Sequence, residues 1–495
     1  MIVSDAGSKS GRGLALPVFC FLALLVGLLC VRHNPVLNDL DVGWLVRTGE
    51  LIWQTGALPS SDVFSFSSPG HPWVLYQWGF ELLVGGLHQM AGMGGVVWAV
   101  AVIIALTYAL ILAFLLRLGL PNLLAIGLMG LAMFVNIVHW YARPGIFTVL
   151  LFVVILWRLE VERLSPGRYI WALPMVFIIW ANFHLGFILG LLVVLIYGVW
   201  AYILPSAFRG PGAVKDSKVL YVFLLCLIAT FFNPYGPKLI YYLWQLSQAG
   251  TMNRYIGELQ SPNFHHFIFI FLFIQLALLI WVASPKFAGR QVLLTLTTIG
   301  LGLGLYSARH LPWFSIPATF YLGYALRPAM NPVSKRGMPL RDLVFAAIGI
   351  VLSFCWVSWM GLKYPNFYGF NPARVPVKAI AYLEAQAHSY QKPLQVFSLD
   401  HQWSSYIIYA SYPRMRVFID TRYDMYGEAF CKRVVTLSRN VLNNPEVLIP
   451  LHVDFLLINK AELQTFPPES PRARLVYEDQ KSLVYRLGQN SLVHP

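Results

Sequence analysis

The sequence predicts a polytopic α-helical membrane protein that carries a small soluble α/β domain at its C-terminal end. Hydrophobic residues make up 57% of the 495 positions and charged residues only 12%, which excludes an ordinary soluble globular protein. Many of these apolar residues fall in runs long enough to cross a bilayer as helices. The net charge of +14 is therefore assigned to cytoplasmic loops, and the sequence contains no motif for binding nucleic acid.

About eleven apolar runs qualify as membrane spans. They cover residues 14–31, 92–116, 121–140, 144–158, 169–183, 185–204, 219–234, 266–283, 291–307, 311–326 and 343–361. No small-residue cleavage site follows the first run, so we expect an uncleaved membrane anchor.

Basic residues between the spans predict the orientation of the chain. With the N-terminus in the cytoplasm, most Lys and Arg residues fall in cytoplasmic loops, for example Arg163, Lys215 and Arg341. The opposite loops hold far fewer. Because the span count is odd, the prediction is a transmembrane domain over residues 1–362 and an external domain over residues 363–495.

The external C-terminal domain is predicted from a change in the sequence pattern. Short β-branched or aromatic runs bounded by polar residues predict strands at 395–400, 416–420, 454–459, 474–479 and 482–487. Helical spacing over 375–387 and 425–442 completes an α/β pattern. Polar groups at Asp400 and Asp420 follow predicted strand ends, where ligands often bind. Caps and an Asp420 to Arg422 ion pair are the simpler interpretation of these groups.

The first external loop, about residues 32–91, is much longer than an ordinary connection, which indicates function or internal structure. Helical apolar spacing over 44–55 and 77–90 predicts two helices lying on the membrane surface. Asp39 and Asp41 stand at the start of this loop. Because burying a carboxylate at the lipid boundary is costly, such a pair is expected to bind a cation, accept a proton or meet a polar substrate.

Other polar residues are predicted to lie on the same outer side of the membrane. Taken singly, each has a structural explanation, such as a helix end or a hydrogen bond between helices. Their shared placement beside the acidic loop favours a substrate site. The candidate substrate-binding residues are Arg47, His71, Glu81, His139, Arg143, Asn182, His184, Glu258, Arg309 and His310.

This set of residue types suits the transfer of a sugar from a lipid-linked phosphate. The reaction needs a base to take a proton from the acceptor, and cationic groups or a metal to stabilise the departing phosphate. Asp39 or Asp41 would be the base, and the other could help to hold a divalent ion, Mg²⁺ or Mn²⁺. Arg143, His184, Arg309 or His310 could bind the phosphate.

These features resemble the GT-C superfamily of polyprenyl-phosphate-sugar-dependent glycosyltransferases. The motifs beginning at Asp39, Asp62, Pro72, Trp180, Asn233 and Val417 also resemble a bacterial family of GT-C-like membrane proteins. The resemblance implies inverting transfer at the non-cytoplasmic face of the bacterial inner membrane, with Asp39 and Asp41 at the catalytic centre. It implies a lipid-linked sugar donor and a glycan, lipid or protein acceptor. The chain departs from the family pattern at Leu45 and Gln77, where the pattern has His and Glu.

Two other classes of function stay open at this point. One is a transporter or flippase for a lipid-linked or polar substrate, although the interiors of the spans from residue 92 onward hold almost no charged residues, unlike ion-coupled carriers. The other is a noncatalytic envelope-assembly protein that binds partners through its C-terminal domain.

Overall fold

Most of the chain is helical in the computed structural model, which describes residues 15–248, 259–282, 291–327, 340–463 and 469–488. The helices are α1 (Ala15–Leu29), α2 (Val42–Thr55), α3 (Trp78–Arg117), α4 (Asn122–Asn136), α5 (Gly145–Leu164), α6 (Leu173–Phe183), α7 (Phe187–Ile203), α8 (Pro205–Arg209), α9 (Lys218–Ala229), α10 (Lys238–Gln248), α11 (Ile270–Val282), α12 (Gln291–Tyr306), α13 (Leu311–Leu326), α14 (Leu340–Lys363), α15 (Val377–Ala387), α16 (His401–Ser411), α17 (Tyr423–Tyr426) and α18 (Glu428–Asn443). The strands are β1 (Leu394–Ser398), β2 (Met415–Val417), β3 (Phe455–Asn459), β4 (Ala473–Glu478) and β5 (Ser482–Leu487).

Each predicted span contains an apolar helix, although residues 14 and 283 at two span ends lie outside the described ranges. By length and composition, three helical segments of the described chain are sufficient to cross a bilayer, namely Trp78–Arg117, Asn122–His139 and Leu340–Lys363. Further apolar helices are shorter. Helix α3 breaks at Ala91 and Gly92, where Gly92 has a φ of 58°. The break separates the predicted loop helix over 77–90 from the predicted span that starts at residue 92.

The chain divides into two compact units. We name Met1–Val31, Val97–Pro237 and Ile256–Lys363 the helical unit, and Arg32–Val96, Lys238–Tyr255 and Tyr364–Pro495 the mixed unit. The sequence pattern predicts that the first loop belongs to a domain over residues 1–362. In the structure, that loop clusters instead with the C-terminal region.

Close helix contacts and buried polar pairs hold the helical unit together. A Cβ atom on Gly300 of α12 would lie 2.0 Å from the backbone oxygen of Trp313 in α13, so these backbones touch directly. Within α5, Arg163 pairs with Glu160 at 2.7 Å, and the hydroxyl of Tyr197 in α7 donates to Glu160 at 2.6 Å. Because an unpaired charge is costly in an apolar interior, this pairing is what permits ionic groups there.

The mixed unit is built on a five-stranded sheet with the order β2-β1-β3-β5-β4. Strand β1 runs parallel to β2 and β3, while β5 runs antiparallel to β3 and β4. The first loop extends this sheet past β2. The backbone N–H of Phe66 donates to Val417 at 3.0 Å, and the N–H of Val417 donates to Phe64 at 3.3 Å. The first loop is thus part of the C-terminal fold.

Helix α2 packs so closely against α16 and α3 that the helix backbones are in direct contact. A Cβ atom on Gly43 would lie 2.4 Å from the backbone oxygen of Ser405 in α16. One on Gly49 would lie 1.9 Å from the backbone oxygen of Glu81 in α3. Only glycine fits such approaches. These contacts fix the start of α2, where the acidic pair lies.

Candidate functional site

Asp39 and Asp41 form a tight turn immediately before α2. The Asp39 Oδ1 atom accepts a hydrogen bond from the backbone N–H of Asp41 at 3.1 Å, and both residues are half-buried. Asp41 occupies the N-cap position of α2, yet its side chain makes no capping hydrogen bond. Its carboxylate is directed instead toward residues of the C-terminal region.

Two side chains from the C-terminal region bind the Asp41 carboxylate. The Thr421 hydroxyl donates to Asp41 Oδ1 at 2.5 Å, and Gln402 Nε2 donates to the same oxygen at 3.4 Å. Gln402 Oε1 in turn accepts from the backbone N–H of Leu40 at 2.9 Å. The position and the plane of this carboxylate are therefore set by residues far away in the sequence.

A buried ion cluster anchors the segment that contains Thr421. Arg422 Nη2 lies 2.8 Å from Asp62 Oδ1 and 2.6 Å from Asp420 Oδ2, and all three side chains are shielded from solvent. The guanidinium also lies over the Trp73 ring, 4.5 Å from its centroid. Burial acts to lower the pKa of Arg422, but the two carboxylates raise it well above its usual value. The predicted Asp420 to Arg422 ion pair is confirmed.

Arg47 belongs to a second polar cluster of the mixed unit. Its Nη1 atom lies 2.6 Å from Glu50 Oε2, and its Nε atom donates to the backbone oxygen of Tyr409 at 2.7 Å. His88 Nδ1 lies 2.6 Å from the other Glu50 oxygen, and His88 Nε2 lies 3.2 Å from the Tyr409 hydroxyl. Burial acts to raise the pKa of Glu50, but His88 and Arg47 lower it below its ordinary value. These contacts tie α2 and α3 to α16, so Arg47 has a structural role here.

The lowered pKa of Glu50 predicts acid sensitivity of the mixed unit. A carboxyl group with a depressed folded pKa stabilises the fold above its unfolded pKa, and that contribution is lost as the pH falls through the folded value. Glu50→Gln is therefore expected to flatten the loss of stability between about pH 5 and pH 3. Thermal unfolding of the detergent-solubilised protein across this range measures the effect. The exposed Glu478→Gln is the matched control and should keep the wild-type profile; a steep acid limb in Glu50→Gln would contradict the assignment.

The remaining first-loop candidates differ in burial. His71 is exposed, and its backbone oxygen accepts from the N–H of Asp62 at 2.8 Å. Glu81 is fully buried, and its Oε1 accepts from Gln77 Nε2 at 3.3 Å. Its Oε2 has no hydrogen-bond partner among the described residues. Leu45 is only 1% exposed, so the departure from His at this position fills an apolar core.

In the helical unit, Asn182 lies in the last turn of α6 and His184 directly follows that helix. Asn182 Nδ2 donates to the backbone oxygens of Ile178 and Phe232, both at 2.8 Å. His184 Nδ1 accepts from the N–H of Gly186 at 3.1 Å and lies 2.8 Å from the Thr148 hydroxyl. Both side chains thus make hydrogen bonds of the kind that the structural explanation predicts for residues at helix ends.

Five further candidates complete the set, and four of them lie within the described residues. His139 lines a small cavity together with Tyr108, Asn136 and Trp140. Arg143 is half-buried and Arg309 is exposed. Burial and the charge of Arg309 lower the pKa of His310. Glu258 lies outside the described residues, and the convergence of these side chains with the first-loop acids on one site stays a prediction.

The acidic pair does not by itself fit a divalent-cation site. Among the described residues, no group of three or more His, Cys, Asp or Glu side chains could hold a metal ion. Mg²⁺ requires near-octahedral oxygen coordination. Asp41 Oδ1 already accepts two hydrogen bonds, which compete with coordination of a cation at this oxygen.

This fold of apolar helices with a C-terminal mixed sheet is similar to the folds of several solved proteins. The apo oligosaccharyltransferase of Archaeoglobus fulgidus matches with a TM-score of 0.55 and 12% identity, over 92% of this chain and 70% of that one. ArnT of Cupriavidus metallidurans, solved bound to undecaprenyl phosphate, matches with a TM-score of 0.50 and 12% identity, over 99% and 100%. The mycobacterial arabinofuranosyltransferase AftD matches with 0.51 and 12%, over 99% and 41%.

By sequence, no family model and no curated protein matches the chain. At identities this low, the structural similarity establishes the fold alone. Together with the apolar helices, this fold identifies an integral membrane protein.

Sequence reasoning missed Gln402 and Thr421 as partners of Asp41. Both residues lie in the polar groups that follow β1 and β2, close to Asp400 and Asp420. Asp400 does cap α16, since its Oδ1 accepts from the N–H of Gln402 at 2.9 Å. The sequence therefore indicated that these polar groups could bind a ligand or cap a helix. It did not indicate that they contact the first loop.

Proposed function

We propose that this chain is a glycosyltransferase that moves a sugar from a polyprenyl-phosphate-linked donor to an acceptor on the non-cytoplasmic face of a bacterial inner membrane. The observation that carries the proposal is the Asp41 carboxylate, which two side-chain donors hold at the start of α2. A base that is fixed in one orientation is what proton abstraction from an acceptor requires. The similar fold of ArnT, whose solved structure contains undecaprenyl phosphate, supports the choice of donor.

The proposed step is a single inverting displacement. The oxygen of an acceptor hydroxyl forms a bond to the anomeric carbon of the donor sugar while Asp41 takes the hydroxyl proton. The bond between that carbon and the phosphate oxygen breaks, and its electron pair leaves with the polyprenyl phosphate. Asp39 shapes the turn that holds Asp41, while Arg143, His184, Arg309 and His310 are proposed to stabilise the departing phosphate.

A release assay separates transfer from transport. Purified protein in liposomes is supplied with a radiolabelled polyprenyl-phosphate sugar and a mixture of glycan, lipid and peptide acceptors. A transferase is expected to release polyprenyl phosphate in step with labelled product. Relocation of intact sugar lipid across the bilayer without release would favour a flippase, and neither event would favour an assembly protein.

The external placement of the first loop is tested by cysteine labelling. In a background that lacks the native cysteines, Ser60→Cys should react with a membrane-impermeant maleimide in intact spheroplasts, because Ser60 is exposed in the first loop. Val214→Cys is the matched control. It lies exposed in a loop predicted to be cytoplasmic, so it should react only after permeabilisation. Protection of Ser60→Cys in intact spheroplasts would overturn the topology.

A further inference from the structure

We propose that Thr421 and Gln402 are positioning residues that orient the Asp41 carboxylate for catalysis, which makes the C-terminal region part of the active site. The inference rests on the proposed function. It assigns a role to the C-terminal region, which the proposed reaction does not by itself require. Its basis is a set of contacts inside the mixed unit that link the first loop to the ends of β1 and β2.

The Thr421 hydroxyl is itself held in place. It donates to Asp41 Oδ1 at 2.5 Å and lies 3.0 Å from the hydroxyl of Ser405 in α16. Ser405 is fully buried. Ser405 also supplies the backbone oxygen against which Gly43 packs. Ser405 thus contacts both Thr421 and helix α2, which begins directly after Asp41.

Gln402 acts on the carboxylate and on its backbone together. Its Nε2 atom lies 3.4 Å from Asp41 Oδ1, while its Oε1 atom accepts from the N–H of Leu40 at 2.9 Å. Its own backbone N–H binds Asp400, which caps α16. A single amide therefore links the turn of Asp41 to the start of α16.

The segment that carries Thr421 cannot adjust freely. Asp420 and Arg422 flank it, and both are fully buried in the ion cluster with Asp62. Moving the hydroxyl would require breaking a buried charge cluster, which is strongly unfavourable. The hydroxyl is consequently preorganised, as expected for a group that orients a catalytic side chain.

A substitution that removes the Thr421 hydroxyl but keeps the shape of the side chain tests the proposal. Thr421→Val is expected to lower kcat about tenfold with little change in KM, because the substrate is not touched. A donor favours the ionised carboxylate, so the acid limb of the kcat profile should move up by about one pH unit. Thr421→Ser should restore both values. Gln402→Glu keeps the acceptor for Leu40 but loses the donor, and should also move the acid limb upward.

A readout independent of activity separates this inference from the proposed function. Hydrogen exchange of the peptide over residues 38–46 should be faster in Thr421→Val than in wild type, and unchanged in Thr436→Val, which removes an exposed hydroxyl elsewhere in the mixed unit. Faster exchange in a protein that transfers no sugar would refute the proposed function but support the positioning contact. If the wild type transfers sugar and Thr421→Val matches it in kcat, pH profile and exchange, the positioning role is overturned.

Discussion

Asp41→Asn is expected to lower the rate of sugar transfer by about a thousandfold, within the range that general-base catalysis supplies. Asparagine keeps an oxygen that can accept from Thr421 and Gln402, so the turn before α2 should keep its geometry. The substitution removes the ability to take a proton. Release of polyprenyl phosphate under saturating donor measures the change.

Asp39→Asn is the matched control, because it changes the other acid of the pair. Its Oδ1 atom can still accept from the N–H of Asp41, so only the charge is lost, and a decrease of about tenfold is expected. Hydrogen exchange of residues 38–46 should be unchanged in both variants. Wild-type rates in Asp41→Asn would refute its role as base, and equal large losses in both variants would assign the proton transfer to the pair rather than to Asp41.

Arg422→Met is expected to destabilise the mixed unit by about 3–5 kcal/mol, the cost of leaving buried charges without a partner. Both Asp62 and Asp420 would lose the guanidinium that lies within 2.8 Å of each. Thermal unfolding of the solubilised protein, followed by tryptophan fluorescence, should report the loss because Trp73 lies against Arg422. Sugar transfer should fall in parallel, since Thr421 is the neighbouring residue.

Arg439→Met tests whether the effect comes from the buried cluster. Arg439 is an exposed arginine on α18, so its replacement is expected to change stability by less than about 0.5 kcal/mol. Arg422→Lys keeps a positive charge but loses the planar fork, and an intermediate loss is expected. A loss below about 1 kcal/mol for Arg422→Met would show that the cluster is not a main source of stability.

Local patterns in the sequence predicted the elements of this fold well. The five strands and the helix over 375–387 were found because their periodicity depends only on neighbouring residues. The single helix predicted over 425–442 is divided in the structure, where Gly427 separates α17 from α18. Helix α16 was missed, since its β-branched and aromatic residues lack a clear helical pattern. The break at Gly92 was anticipated only as a boundary between a loop helix and a span.

The candidate site was harder to predict than the fold. Asp39 and Asp41 stood out by their position, but the side chains that bind Asp41 are several hundred residues away from it in the sequence. The contact between Asp62 and Arg422 spans 360 positions, and no spacing rule connects residues so far apart. The buried contact between Glu50 and His88 was likewise not predicted, because Glu and His are common surface residues and nothing in the sequence marks these two as a buried pair.

The hydrogen bonds between Phe64, Phe66 and Val417 have a consequence for biogenesis. The ribosome makes the loop segment some 350 residues before the strand that it extends, so most of the chain is synthesised in that interval. The nascent loop therefore lacks its partner strand until the last part of the chain has been synthesised. A chain that ended before β2 would lack both this strand pairing and the contact between Thr421 and the Asp41 carboxylate.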